Sequence, residues 1–329
     1  MRPIRRILVA VKNPDADTLP ALDKAAQLAR ASGAQLELFH AISERLSADA
    51  AVFVEGGIAG AERRRRERIE AQLDKLARRL RAKGLTVAVT SEWDYPVYEA
   101  IVRQALRSRA DLIVAECHAG RRGAPWLMHV TDWELLRTSP VPVLLVKTPR
   151  PYRRPVVLAT LDPTHSFAKP TKLDAAILRA AQSLTETLNG TLHAMHAFVP
   201  TAFALGPATG VAANVAADAM TEAERSARRA FERELKNVDI PRSRQHLLCD
   251  VAVDAIPRVA EEIGAAIVVM GAVSRSGLKR VFIGNTAERV LNELPCDVLV
   301  VKPAKFVTPV ARKARGARLV ATPQFGAFG

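Results

Sequence analysis

The sequence predicts an α/β protein of two tandem, doubly wound domains, each built on a five-stranded parallel sheet. Three observations carry that reading. The chain has 329 residues, roughly twice the ~150 of an ordinary domain. Short runs rich in Val, Ile and Leu alternate with stretches of helical spacing, as expected of buried parallel strands joined by right-handed helical crossovers. The chain also repeats itself. Glu99-Ala100-Ile101 returns as Asp254-Ala255-Ile256, Asp111-Leu112-Ile113-Val114 as Ala266-Ile267-Val268-Val269, and residues 140–147 as 295–302, each displaced by 155 positions. Residues 7–11 and 35–41 likewise resemble 156–160 and 191–197. Chance likeness of apolar runs would not hold one register over three segments, so the pattern is a duplication. Its boundary falls at Pro149-Arg150-Pro151, where Pro and Arg read as a linker. The predicted domains are 1–150 and 151–303, followed by a basic, flexible tail over 304–329.

In the second copy, residues 155–161 form a short apolar run that reads as a buried strand. Residues 172–188 have helical spacing and stop at Asn189-Gly190. Strands at 192–198, 246–249, 266–270 and 298–301 alternate with helices at 222–235, 252–263 and 286–294. Residues 199–217, rich in Ala, Gly and Pro, are too long for a tight connection and read as a partly mobile lid. In the first copy, Ile69, Leu73, Leu76 and Leu80 share one helical face. Arg63 to Arg66, Arg68, Arg78, Arg79 and Arg81 mostly cover the other.

Composition narrows the function. Aromatics are 5% of the chain, so Ala, Val and Leu fill the cores, as in sheets covered on both faces. Lys and Arg number 48 against 34 Asp and Glu, a net charge of +14, which favours anionic partners. No base-stacking aromatics are interleaved with the basic runs, which speaks against sequence-specific nucleic-acid binding. Cys117, Cys249 and Cys296 are far apart and odd in number, which fits a reducing, cytoplasmic setting better than a disulfide framework. The apolar run at 7–11 is too short for a secretory signal, and no run is long enough to span a membrane.

The segment after the strand at 266–270 carries the chemistry. Gly271 and Gly277 allow main-chain N–H groups to approach an anion. Gly284, Asn285 and Thr286 stand at a helix N-terminus, where free N–H groups and the helix dipole favour negative charge. Arg275, Lys279 and Arg280 supply counter-charge. A plain strand-to-helix loop that needs glycine for tight turns is the alternative reading.

This loop resembles that of the universal stress protein family, Gly-x-x-Gly, nine residues, then Gly-Ser/Thr. Gly271 and Gly284 match the first and third glycines, Ser274 stands in place of the second, and Asn285 replaces the hydroxyl residue. The sequence Gly284-Asn285-Thr286-Ala287-Glu288, with Thr131-Asp132-Trp133 and Leu135-Leu136-Arg137 in the first copy, is similar to the tandem E-type members. The resemblance covers residues 5–303 and implies a Rossmann-like, adenine nucleotide alpha hydrolase-like fold. It implies that Asp162 holds the adenine or ribose, that Ala197 lines the base pocket, and that Met270 and Gly271 lie against the ribose and α-phosphate. Ser274, Gly284, Asn285 and Thr286 would surround the phosphates. The implied ligand is ATP or a related adenine nucleotide, with or without Mg. A Ser where φ must be positive costs about 1 kcal/mol, and Asn285 offers an amide where the family has a hydroxyl. The resemblance also implies that the two copies pair through their last strands; a homodimer is a further arrangement.

The first copy reads as emptied. Its matching strand ends Glu116-Cys117-His118-Ala119-Gly120 without a glycine at the first loop position, and no Asp follows Val11-Lys12-Asn13. Thr131 reads as a helix N-cap, and Asp132 and Glu134 put negative charge in the first turn, where a phosphate would be repelled. A structural or partner-binding role is expected. Glu116, Cys117 and His118 as metal ligands are disfavoured, because neighbours on a strand point to opposite faces. His193 and His196 are disfavoured on the same ground and read as packed or hydrogen-bonded core groups. The Asp, His and Ser of residues 162–166 lie within one short loop, whereas a catalytic triad draws them from separate elements. The expected function is therefore nucleotide-responsive regulation of partners in the stress response, with no catalytic residue assigned. A slow ATPase, a different ligand and a scaffold with a lost nucleotide site are the alternatives.

Overall fold

A computed structural model describes residues 4–47, 56–117, 130–164, 173–200, 213–272 and 285–320. The chain divides into two compact units. One comprises Ile4–Glu116, His129–Val141 and Thr308–Gly329; the other comprises Met1–Pro3, Cys117–Met128 and Pro142–Val307.

In the first of these units, β1 (Arg6–Ala10), β2 (Gln35–Ile42), β4 (Val87–Trp93) and β5 (Leu112–Glu116) lie parallel in the order β4-β2-β1-β5. The connecting helices are α1 (Pro20–Ser32), α2 (Gly57–Arg81) and α3 (Val97–Arg107), and α4 (Val130–Thr138) follows β5. A three-residue strand, β3 (Arg45–Ser47), follows β2. Ile7, Leu8 and Val9 are each at most 1% exposed, as a central strand covered on both faces requires. Pro20 starts α1, where its missing N–H and fixed φ cost nothing. The long helix α2 buries Ile69, Leu73, Leu76 and Leu80 and exposes Arg63, Arg64, Arg66 and Arg68, as the spacing predicts. The helix α4 already includes Val130, so Thr131 sits inside its first turn and is not its N-cap.

The other unit holds β6 (Val143–Val146), β7 (Val156–Leu161), α5 (Leu173–Thr187), β8 (Thr191–Phe198), α6 (Ala213–Leu235), β9 (Gln245–Cys249), α7 (Ala252–Glu262), β10 (Ile267–Gly271), α8 (Asn285–Glu293) and β11 (Asp297–Val301). The strand order is β6-β11-β10-β7-β8-β9. Every pair is parallel except β11 with β6, which run antiparallel with Val298 opposite Leu145. The last strand of the first repeat thus sits in this unit beside the last strand of the second, and β11 has no open edge. The helix stop at Asn189-Gly190 has a concrete cause. Asn189 takes φ 51°, which Asn tolerates at a helix end, and a Cβ on Gly190 would lie 2.3 Å from the carbonyl oxygen of Pro155. Helix α6 starts at Ala213, inside the stretch read as a lid; residues 201–212 of that stretch lie outside the described residues.

The tail differs from its expectation. Residues 308–320 lie against the first repeat's unit, and residues 321–329 of the tail lie outside the described residues. A strand β12 (Arg318–Val320) pairs in parallel with β3, and the main-chain N–H of Arg315 donates to Asp94 Oδ1 at 2.9 Å. A run of like charges repels itself in water, but here it meets carboxylates that cancel it.

One buried carboxylate organises the junction between repeats. Asp297, fully buried at the start of β11, accepts from the Lys147 and Thr148 amides at 2.9 and 3.1 Å. Its Oδ2 accepts from the Tyr152 hydroxyl at 2.6 Å. Burial, and then the charge of Asp297, holds the Tyr152 phenol protonated well above its ordinary range. Burial pulls the Lys147 ammonium down, and its Nζ donates to the carbonyls of Leu291, at 2.8 Å, and Leu294, at the end of α8 where a cation is favoured. Burial also pushes the Cys296 thiol up to about 12, with Asp297 adding to the shift. Replacing Asp297 by Ala removes the acceptor of two amides and of the Thr148 and Tyr152 hydroxyls. The expected loss is on the order of 3 kcal/mol in urea unfolding followed by circular dichroism, against about 1 kcal/mol for Tyr152→Phe, which removes one of those bonds.

Candidate functional site

In the second-repeat unit, β10 and β7 are neighbours, and the chain leaves them in opposite directions across the sheet: β7 toward β8, β10 toward β11. This is the topological switch point, outside whose strand ends doubly wound folds bind ligands. Asp162 directly follows β7, Met270 and Gly271 end β10, and Ala197 lies next to the end of β8. The topology therefore brings these four predicted residues to the carboxyl ends of three adjacent strands. Ser274, Arg275, Gly277 and Gly284 lie outside the described residues. Asn285 and Thr286 open α8, so the predicted helix N-terminus is where the reading put it.

Asp162 is half-buried. Its carboxylate accepts from the Thr164 hydroxyl at 3.3 Å, and its amide donates to Asp174 Oδ1 at 3.1 Å. Asp174, 3% exposed in the first turn of α5, thus ties the strand end to the helix start. The sequence reading passed over it, although an acidic residue in the first turn of a helix is the signal that marks such a tie. Gly271 has a second reason to be glycine. A Cβ there would lie 2.6 Å from Leu173 Cδ2 and 3.1 Å from Ile177 Cδ1, so α5 packs onto β10 only because no side chain intervenes.

A further feature occurs in both repeats. His196, fully buried on β8, donates from Nδ1 to the carbonyl of Leu161 at the end of β7, at 3.2 Å. His40 on β2 donates from Nδ1 to the carbonyl of Val11, just past β1, at 2.8 Å. Each histidine fastens the mouth of one strand to its neighbour. His193 is placed differently. Its Nδ1 lies 2.9 Å from Nε2 of His246 on the neighbouring strand, with the rings stacked at 5.3 Å. His193 and His196 are thus both hydrogen-bonded groups, as the sequence reading expects.

In the first-repeat unit, the corresponding strand end carries Glu116, and Asp132 is 3% exposed in the first turn of α4. Glu134 pairs with Arg137 at 2.8 Å. His118 lies outside the described residues. At the end of β4 sits a buried ionic cluster that the sequence reading missed. Arg103, 2% exposed, donates from Nε to Asp94 Oδ2 at 2.7 Å and from a terminal nitrogen to Glu99 Oε2 at 3.0 Å. An open groove of about 460 Å³ lies on the outer flank of β4, lined by Arg66, Glu92, Gln104 and Arg107 among others; it belongs to this unit and is not the crevice of β7 and β10. Among the described residues, no group of three or more His, Cys, Asp or Glu side chains is placed to hold a metal ion. No described helix is long and apolar enough to cross a membrane.

Comparison with known proteins covers nearly the whole chain. The model of the universal stress protein family matches twice, over residues 3–147 and 169–302. Universal stress protein E of Escherichia coli K12 is 27% identical over 317 residues, which span 92% of this chain and 96% of that protein. The counterpart from Photorhabdus laumondii is 25% identical over 312 residues, with the same coverage of both chains. Among solved structures, a functionally unknown protein from Pseudomonas aeruginosa PAO1 superposes with a TM-score of 0.69 at 28% identity, over 92% of this chain and 93% of that one. A universal stress protein from Archaeoglobus fulgidus, 16% identical, shares the fold with a TM-score of 0.60 over 90% of this chain and 98% of its own.

Two measurements follow from the site. Gly271→Ala is expected to lower unfolding stability by on the order of 1–2 kcal/mol. Combining it with Leu173→Ala should cost less than the sum of the single changes, a coupling that a double-mutant cycle reads. The second concerns acid. Burial holds His40, His193 and His246 below the ordinary 6.5. The unfolded chain therefore takes up protons that the folded chain refuses, and the stability present above about pH 6.5 is lost as the pH falls below it. The urea midpoint should drop between about pH 7.5 and about pH 5.5, and less so in a His193→Gln/His246→Gln variant.

Proposed function

Since the chain belongs to the universal stress protein family and carries that domain twice, we propose that it is a regulatory protein of the stress response that binds ATP or a related adenine nucleotide in its second copy. The observation that carries the reading is the convergence of Asp162, Ala197, Met270 and Gly271 on the switch point of the sheet. The loop that leaves Gly271 ends where α8 begins, at Asn285, and a helix N-terminus favours a phosphate. In this reading Asp162 engages the adenine or ribose, Met270 and Gly271 lie against the ribose and α-phosphate, and Ser274, Arg275, Gly277, Gly284, Asn285 and Thr286 surround the phosphates, with Mg where the ligand brings it.

The first copy takes a structural or partner-binding role. Its helix α4 carries Asp132 and Glu134 in and beside the first turn, which disfavours an anion there. Binding in the second copy acts by changing partner interactions, and no residue of the crevice is assigned to catalysis. The same reading places the protein in the cytoplasm.

Isothermal titration of the full chain with ATP and with AMP tests the proposal. Saturable heat is expected, and Gly284→Asp, which puts a carboxylate among the phosphate oxygens, should abolish it. Absence of heat at about millimolar nucleotide, where even weak binding at ~4 kcal/mol would register, turns the reading to a ligand-free scaffold.

A further inference from the structure

The ionic cluster at the end of β4 is one positive charge short. Asp94 is fully buried and Glu99 is 8% exposed, and the buried Arg103 between them supplies one cation for two carboxylates. A buried group of uncompensated charge is costly, and the cluster therefore draws a second cation. The segment after the second repeat delivers it. The guanidinium of Arg315 donates to Glu99 Oε1 at 2.9 Å and Oε2 at 3.2 Å, while its own amide donates to Asp94 Oδ1. Arg103 reaches back to the carbonyl of Ala311 at 3.1 Å. The Tyr95 ring lies 5.7 Å from the guanidinium carbons of both Arg315 and Arg318, within cation–π range. Finally, β12 adds itself to β3 over three residue pairs.

This combination is how proteins read an extended basic peptide: main-chain pairing along a strand, and a side-chain notch that selects charge. Its two halves differ in rigidity. The notch is buried and held by bonds internal to β4 and α3. The segment that fills it is largely exposed: the Arg315 side chain is 48% exposed, Arg312, Lys313 and Arg318 are exposed, and Val310 is the one apolar side chain of residues 308–318 that is buried. The Arg315 half of the pair stands open to water and salt while Glu99 is buried, and a three-residue ladder adds little.

We propose that Asp94, Glu99, Tyr95 and the edge of β3 form a docking site for an arginine-bearing extended segment, and that residues 308–320 occupy it in exchangeable fashion until another such segment takes their place. The partner is defined by that chemistry: an extended, basic stretch of another polypeptide with an arginine to enter the notch. The inference rests on the first repeat's unit, which residues 308–320 join, and is independent of nucleotide binding in the second.

Hydrogen exchange on the full chain tests it. The amides of residues 315–320 should be protected in the native protein. Arg315→Ala, a change at a half-exposed side chain, should speed their exchange at least about tenfold while the exchange of β1 and β5 stays unchanged. An excess of a free peptide spanning residues 308–320 should speed the same amides in the unaltered protein, and the peptide with Arg315→Ala should not. About 1 M salt should act as the peptide does. Protection that survives Arg315→Ala, a resident segment that excess peptide leaves in place, or an altered peptide that competes as well as the original would each overturn the proposal.

Discussion

The second-repeat unit depends on what a buried carboxylate demands. Asp297 stands in the interior at the first residue of β11, and a charge there persists only if its oxygens are satisfied. The donors come from the inter-repeat linker: two successive amides, and the hydroxyls of Thr148 and Tyr152. The linker is therefore not a free tether. Its path from β6 to β7 is set by the need to reach those oxygens, and that path places β6 antiparallel to β11 with Leu144 opposite Leu299. The Lys147 ammonium, capping the carbonyls at the end of α8, holds the same turn from the other side.

The repeats and their elements were legible because the signals are local or periodic. Buried parallel strands read as unbroken apolar runs, and α2 announced its buried face through Ile69, Leu73, Leu76 and Leu80. What escaped were partnerships over long separations. Nothing in residues 143–146 says that they join the second repeat's unit, since an apolar strand fits either neighbour. The tail read as solvated charge because its counter-charges, Asp94 and Glu99, stand more than two hundred positions earlier in the chain. Gly271 shows the opposite error of emphasis. The sequence offered it to a phosphate, while the packing of Leu173 and Ile177 already requires a residue without a Cβ there. Asp162, Ala197 and Met270 were placed by the family resemblance, and the strand order brings them together; the loop between Gly271 and Asn285 is read from sequence.

The two copies keep one feature and differ in another. His40 and His196 make the same tie between the first and second strands of their repeats, so the mouth of the sheet is braced alike in both. Around that brace the chemistry has diverged. The second copy presents Asp162 and a glycine-bearing strand end, and the first presents Glu116 and the acids of α4. The first copy carries a carboxylate notch that the chain fills with its own arginine. The two repeats thus share the frame while their rims carry different groups.

The environment of Cys296 has a consequence for a chain of this family. Peroxide and other electrophiles attack the thiolate, and burial with the neighbouring Asp297 carboxylate pushes this thiol up to about 12 and so disfavours that form at neutral pH. Burial further shields the sulfur, and Cys249, though at the surface, is also shifted upward by desolvation and nearby acids. Of the two, the Cys296 sulfur is the one withheld from oxidants, by burial and by its raised pKa together, whereas Cys249 stays open to solvent.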